Sequence, residues 1–176
     1  IQENIINSMG PQFMEFLDKK LFELQEIVKN FSREENENHG YYFRKQLWNT
    51  IKSSPFIART NLKPRGYAGD SEMMSMIYAN DYWGESTFSK LLHKHPIDQP
   101  GAEAVRNRRH YIAKMLRMLK RDRCSLDGKK FKILSVACGP ACEIQDILLN
   151  ADDCSKFHFV LLDQDGVLDP VAMIEL

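Results

Sequence analysis

Gly139 and Asp163 stand 24 positions apart, and each comes just after a run of apolar residues. The first run, Ile133 to Ala137, leads into a turn of small residues that contains Gly139, and the second, Phe157 to Leu162, ends at Asp163. Glycine lets a backbone approach a ligand where a Cβ would clash, and an acid roughly 20 residues after such a turn meets ribose hydroxyls in nucleotide-binding units. With a helical pattern from Glu143 to Leu149 between the two runs, the order of elements predicts nucleotide binding.

The turn itself narrows the choice of nucleotide. A dinucleotide fingerprint, G-x-G-x-x-G, needs three glycines where this turn has one, and the Lys-Ser or Lys-Thr pair of a P-loop is absent. The turn resembles motif I of the class I S-adenosylmethionine (SAM) methyltransferases, an apolar strand followed by D-x-G-x-G-x-G. Aligned on Gly139, Ser135 stands at the position of the acid, and Ala137 and Ala141 stand at the outer glycines. An NAD site and a βαβ unit without a ligand remain as alternatives.

Three separated segments carry a more specific resemblance. They are KPRGYAGDSEMMSMIY at 63–78, QPGAEAVRNRRHY at 99–111 and SVACGPACE at 135–143. In this order they resemble the bacterial methyltransferase group named for synthesis of the extracellular factor 3-hydroxypalmitic acid methyl ester, over about residues 40 to 165. The resemblance implies a SAM-dependent methyltransferase that acts on a small molecule, with a fatty-acid-like carboxylate as the expected substrate.

The cofactor would be held by residues at the ends of the two strands. Six are expected there: Ala137, Cys138, Gly139, Glu143, Asp163 and Gln164. The backbone of the first three would line the methionine end of SAM, and Gln164 would lie beside the adenine. Asp163 would bind the ribose hydroxyls. Glu143 either replaces the acid missing at Ser135 or is only a favourable acid in the first turn of a helix.

Residues before the strands could close the site as a cap. Arg108 shares a helical stripe with apolar residues, where a guanidinium needs a partner, either a structural acid or the carboxylate of SAM or of a substrate. Tyr67 and Asp70 lie in a glycine-bracketed loop that could fold over a ligand, although Asp70 could equally be a helix N-cap. The sequence offers no catalytic nucleophile–base pair and no metal cluster. His93 and His95 are predicted to be surface residues.

Composition and charge exclude several classes of protein. Lys+Arg and Asp+Glu both number 24, which argues against a general nucleic-acid or anionic-membrane binder. No apolar run approaches the roughly 20 residues of a membrane span. Without a signal peptide the four cysteines are expected to be reduced thiols in a cytoplasmic protein. The sequence leaves open whether the chain forms a homodimer.

Helical periodicity dominates the first three quarters of the chain. Helices are predicted at about 11–31, 41–53, 71–80, 85–94 and 100–121, loops at 32–40 and 54–69, and strands at about 131–137 and 157–162.

The predicted fold class is therefore α/β. Residues 1–125 form a helical cap region, and residues 126–176 form the start of a Rossmann-like SAM-binding domain. The resemblance implies seven strands where two are found, so we expect a truncated core that is inactive alone, because two strands leave an apolar edge and an uncovered face. The main alternative is a non-catalytic helical binding or dimerisation module with an inert partial Rossmann unit, and an NAD-type oxidoreductase is a further one.

Overall fold

A computed structural model shows a mostly helical chain with one small parallel sheet, and it describes residues 1–123, 130–148 and 155–164. Its elements in chain order are α1 (Gln2–Val28), α2 (Arg33–Ser53), α3 (Pro55–Leu62), α4 (Ser71–Ala79), α5 (Thr87–Asp98), α6 (Pro100–Arg123), β1 (Phe131–Val136), α7 (Cys142–Gln145) and β2 (Phe157–Leu162). A mixed α/β composition is thus as predicted.

The chain divides into two compact units. One, the helical unit, comprises Ile1–Lys63 and Asn80–Asp98, and the other, the sheet unit, comprises Pro64–Ala79 and Gln99–Leu176. The predicted domain boundary at residue 125 lies outside the described residues, and so do two of the cysteines, Cys124 and Cys154. The boundary therefore stays a prediction.

Two helix starts in the helical unit differ from their predicted positions. α1 begins at Gln2, not near residue 11, and Pro11 lies inside it. α2 begins at Arg33 because Ser32 and Glu35 form a capping box, in which the Ser32 hydroxyl accepts the Glu35 N–H and the Glu35 carboxylate accepts the Ser32 N–H. The predicted loop at 32–40 was therefore wrong.

A further helix replaces half of the predicted loop at 54–69. Ser54 caps α3 through its hydroxyl, which accepts the Ile57 N–H, and Pro55 occupies the first turn. Proline is favoured there because its missing N–H would have no partner in the helix. α5 likewise runs past Pro96 to Asp98, beyond its predicted end.

The helical unit is built around α5, against which α1 and α3 pack. His93 is fully buried: its ring stacks on Trp83 at 5.6 Å between centroids, and its Nδ1 accepts the Phe56 N–H at 3.2 Å. His95 is also buried, and its Nε2 lies 2.7 Å from an Asp18 oxygen. The prediction that both histidines lie at the surface was wrong, because distant segments supply their partners.

The sheet unit pairs β1 with β2 in parallel, with Val136 opposite Leu162 at the carboxyl ends. One face of the sheet packs through Phe157 and Ile133 against Ala113 of α6. Its other face exposes four apolar side chains: Leu134, Val136, Val160 and Leu162. Among the described residues this face is uncovered, as two strands alone would leave it.

No helix among the described residues has the length and apolar character needed to cross a membrane.

Candidate functional site

The turn after β1 has an unusual backbone. Ala137, Gly139 and Ala141 all adopt positive φ, at 55°, 54° and 49°. These alternate positions are those at which the resemblance places three glycines. The left-handed conformation costs an L-residue on the order of 1 kcal/mol, so two alanines here hold a glycine-type turn at the expense of local strain.

The turn is tied to the end of β2 by two hydrogen bonds. The Cys138 N–H donates to the Leu162 carbonyl at 3.2 Å, and the Gly139 N–H donates to Asp163 Oδ2 at 2.7 Å. Residues 24 positions apart in the sequence thus touch, and a carboxylate acceptor makes the second bond a strong one. The positions of the glycine and the acid are therefore fixed relative to each other.

A cavity of ≈ 780 Å³ opens at this edge of the sheet unit. Eight of the nine residues predicted from the sequence line it: Tyr67, Arg108, Ala137, Cys138, Gly139, Glu143, Asp163 and Gln164. A Cβ built on Gly139 would meet nothing within 4 Å, so the backbone at this point borders open space. The volume falls within the range of roughly 300–1,000 Å³ typical of small-molecule sites.

Asp70 is the predicted residue that does not line this cavity. It is buried, and its Oδ1 accepts the Met73 N–H at 2.9 Å in the first turn of α4. This geometry is that of a helix N-cap, the alternative that the sequence left open. Asp70 positions α4, which carries other residues of the cavity wall.

Tyr78 on α4 was not among the residues predicted for the site. It lines the cavity together with Arg108. Burial raises the pKa of Tyr78 although Arg108 acts in the opposite direction, so the phenol stays protonated at neutral pH. The i, i+4 spacing of Met74 and Tyr78 would have revealed that they share a wall.

Arg109 was also not predicted from the sequence, and it holds the segment after α7 in place as a clamp. Its Nε and Nη2 donate to the two carboxylate oxygens of Asp146, both at 2.7 Å, and its guanidinium lies 5.4 Å from the Tyr78 ring centroid. The hydrogen bond to Arg109 lowers the pKa of Asp146. Arg109 thereby joins α4, α6 and α7 behind the cavity.

The two thiols near the cavity offer little chemical reactivity. Burial raises the pKa of Cys138, assisted by the negative charge of Asp163, and burial also raises the pKa of Cys142. Both thiols are therefore protonated at neutral pH and are poor nucleophiles. Within residues 1–123, 130–148 and 155–164 no three metal-ligand side chains come together. The site can orient a ligand and balance its charge.

α7 covers four residues, shorter than the helix predicted from Glu143 to Leu149. Ala141 precedes it in the left-handed conformation and offers no side-chain cap. Glu143 is half-buried in its first turn and faces the cavity. The wall therefore carries two carboxylates near the turn, Glu143 and Asp163, and one guanidinium, Arg108, from α6.

Comparison of the chain with protein-family models, with curated proteins and with solved structures finds no match in any of the three.

Proposed function

We propose that this chain is a SAM-binding part of a methyltransferase that acts on a small molecule with a fatty-acid-like carboxylate. The sheet unit would be the start of a Rossmann-like fold, with β1, the turn and β2 as its first strand, ligand-binding turn and second strand. The observation that carries the proposal is the contact between the Gly139 N–H and Asp163 Oδ2 at 2.7 Å. It supports a cofactor site because it joins the turn and the acid expected to hold a nucleoside.

The charges around the cavity suit SAM. The cofactor bears a cationic sulfonium, a cationic amino group and a carboxylate, and the wall offers two carboxylates and one guanidinium. Glu143 would accept hydrogen bonds from the amino group, while Arg108 would contact a carboxylate. The Asp163 carboxylate can accept about four hydrogen bonds, so it can bind ribose hydroxyls as well as Gly139.

A pyrophosphate fits this turn less well. In dinucleotide sites the glycine N–H groups face phosphate oxygens, whereas here the Gly139 N–H already donates to a carboxylate. A phosphate at this place would face the negative charge of Asp163 across a short distance. This contact favours SAM over NAD.

SAM supplies an electrophilic methyl group, so the protein mainly has to orient the acceptor. In the wall of the cavity, Met74 and Ile112 offer apolar surface, and Tyr78 and Arg108 offer polar groups. Such a combination would hold an acyl chain and its carboxylate. Arg108 can pair with the carboxylate of SAM or with that of the acceptor, and protonated Tyr78 would donate a hydrogen bond that orients the acceptor.

The test is calorimetric titration with S-adenosylhomocysteine of the wild type and of Asp163→Asn. The substitution keeps an oxygen acceptor for the Gly139 N–H but removes the charge that binds ribose, which is worth roughly 1.5–3 kcal/mol. We therefore expect the dissociation constant to rise more than tenfold. Glu103→Gln, an exposed acid in the first turn of α6, is the matched control and should bind like the wild type. Equal affinity of Asp163→Asn and wild type would refute the ribose assignment.

A second candidate is a non-catalytic helical binding or dimerisation module with an inert partial Rossmann unit, favoured by exposed apolar side chains of the helical unit such as Met9 and Phe16 on α1. In that case S-adenosylhomocysteine would bind neither the wild type nor the variants, which separates the two candidates directly.

A further inference from the structure

α1 carries a second apolar stripe besides the one that packs on α5. Spacings of 4, 7 and 11 residues place Ile5, Met9, Phe16 and Ile27 on one side of the helix. They are exposed by 37%, 56%, 58% and 64%. The packed stripe lies next to it and includes Gly10, the buried residue of α1. These four side chains therefore leave apolar surface of α1 uncovered within the described helical unit.

Part of this stripe forms one wall of an apolar groove between α1 and α5. The groove has a volume of ≈ 380 Å³ and is lined chiefly by Ile5, Met9, Phe13, Phe16, Phe88 and Leu91. The Phe13 and Phe88 rings meet edge to face at 5.8 Å and form its floor, while the Phe88 side chain remains 48% exposed. A groove of this kind accepts the apolar face of a helix.

α2 has the form that such a groove accepts, a helix with one apolar face. Its 21 residues include none that is buried, and Phe43, Leu47 and Ile51 recur every four residues along one face. Most of the stability of a helix in a protein comes from packing of its apolar face against other elements. In the described structure α2 packs on α3 and does not pair along α1. Its apolar face therefore needs a cover that the described chain does not provide.

Charge distinguishes the two surfaces. α1 carries five carboxylates and two lysines, a net charge of −3. The stretch of α2 that bears the apolar stripe, residues 41–53, carries Arg44, Lys45 and Lys52 and no acid. The groove itself is lined by uncharged residues, but an acidic helix beside it and a basic ridge on the same chain suit a two-fold arrangement, in which each copy supplies both.

We propose that a second copy of this chain covers these surfaces: the α2 ridge of each copy, formed by Phe43, Leu47 and Ile51, lies in the α1–α5 groove of the other. This inference goes beyond the proposed methyltransferase function and does not depend on it.

The exposed apolar area of the groove and the ridge is large enough for a stable dimer interface. Six side chains of the groove and the ridge, Ile5, Met9, Phe16, Phe43, Leu47 and Phe88, are exposed by 37–58%. Taking roughly 150–200 Å² for each complete side chain, they offer on the order of 500 Å² of apolar surface. A stable interface buries roughly 800 Å² per partner, of which about 60% is apolar. The exposed apolar area of each copy therefore matches the apolar area that one partner buries in a stable interface.

Sedimentation equilibrium of the 176-residue chain tests the proposal, and the wild type should sediment as a dimer. Phe16→Lys places a cation in the groove opposite the basic ridge, and Leu47→Glu places an anion on the ridge opposite the apolar lining of the groove. Each should raise the dimer dissociation constant by roughly 30-fold or more, as loss of a central apolar contact does. Phe22→Lys is the matched control, because Phe22 is 63% exposed on α1 but lies about 120° around the helix from Phe16. It should remain dimeric.

Mixing the two disrupted variants sharpens the test. A heterodimer would pair the lysine at position 16 with the glutamate at position 47 in one groove and leave the second groove with wild-type contacts, so mixing should restore the dimer. Far-UV circular dichroism confirms that each variant keeps its helices. A monomeric wild type, dissociation by Phe22→Lys equal to that by Phe16→Lys, or a mixture that stays monomeric would each overturn the proposal.

Discussion

Two glycines with positive φ, one in each unit, have opposite surroundings. At Gly84 in the helical unit, φ is +140° and an added Cβ would lie 1.9 Å from Ser89 Oγ and 3.1 Å from two backbone atoms. At Gly139 in the sheet unit, φ is +54° and an added Cβ would meet nothing within 4 Å. The first glycine permits close packing inside the protein, and the second borders a cavity.

An unusual backbone conformation therefore does not by itself mark a binding site. The residues around Gly84 pack within their own unit, with buried Ser89 against the glycine and His93 stacked on Trp83 one turn further along α5, although Ser89 Oγ and His93 Nε2 have no hydrogen-bond partner among the described residues. Around Gly139 the backbone faces a cavity lined by charged side chains. A strained backbone turn suggests function where it borders an open cavity with charged walls.

Gly84→Ala should have the largest effect on stability. The substitution combines a φ that L-residues rarely adopt with a contact that Ser89 and the backbone of α5 must relieve by moving. We expect the free energy of unfolding to fall by about 2–4 kcal/mol, measured by urea denaturation of the purified chain. A loss no larger than that of Gly139→Ala would show that the two turns do not differ as described.

Acid should destabilise the helical unit through His93. Burial lowers its pKa from 6.5 to about 4 in the folded state, so between these pH values the unfolded chain binds a proton that the folded chain does not. The free energy of unfolding should consequently decrease as the pH falls from about 6.5 to about 4, by about 3 kcal/mol in total, and this component should level off below that range.

The measurement for this prediction is urea denaturation across that pH range for wild type and His93→Asn, which removes the titrating group. Other groups contribute equally to both proteins, so the difference between their slopes isolates His93. His39→Asn, at an exposed position on α2, is the control and should keep the wild-type slope. Parallel curves for wild type and His93→Asn would contradict the burial of a neutral imidazole.

Arg109→Ala should destabilise the sheet unit by less than Gly84→Ala or acid destabilises the helical unit. The bidentate pair with Asp146 is about three-quarters buried, since the side chains are 24% and 25% exposed. Its loss should lower the free energy of unfolding by about 1–2 kcal/mol. The exposed pair Arg33–Glu37, 91% and 67% exposed, provides the comparison: Arg33→Ala should leave stability unchanged within error. Equal effects of both substitutions would argue against the clamp.

Gly139→Ala should have the smallest effect on stability and a clear effect on binding. The added methyl group has room, so only the left-handed backbone costs energy, about 1 kcal/mol. In the cavity, however, the methyl group would occupy the place of the proposed cofactor, and we expect the affinity for S-adenosylhomocysteine to fall more than tenfold. Unchanged binding measured by calorimetry would show that no ligand approaches the backbone at this turn.

Local signals made the sheet unit the more predictable of the two. Two apolar runs, one glycine and an acid at the right spacing predicted β1, the turn and β2, and an Asp before a helical pattern predicted α4. What the pattern could not show was that Ala137 and Ala141 adopt the conformation of glycine, because alanine carries no such preference.

The helical unit was predicted less well for two physical reasons. Signals at Ser32 and Glu35 and at Ser54 and Pro55 were present, but a charged stretch and a proline were interpreted as a loop and a helix end. The burial of His93 depends on Trp83 and on the backbone of Phe56, which are distant in the sequence. Periodicity on α5 alone does not reveal them.

The most direct test of the central claim is calorimetric titration of the wild-type chain with S-adenosylhomocysteine and, separately, with NAD. The account predicts micromolar binding of S-adenosylhomocysteine at one site and no measurable binding of NAD, because Asp163 already occupies the Gly139 N–H that a pyrophosphate would need. Binding of NAD alone, or of neither compound, would contradict the assignment of the cavity to SAM.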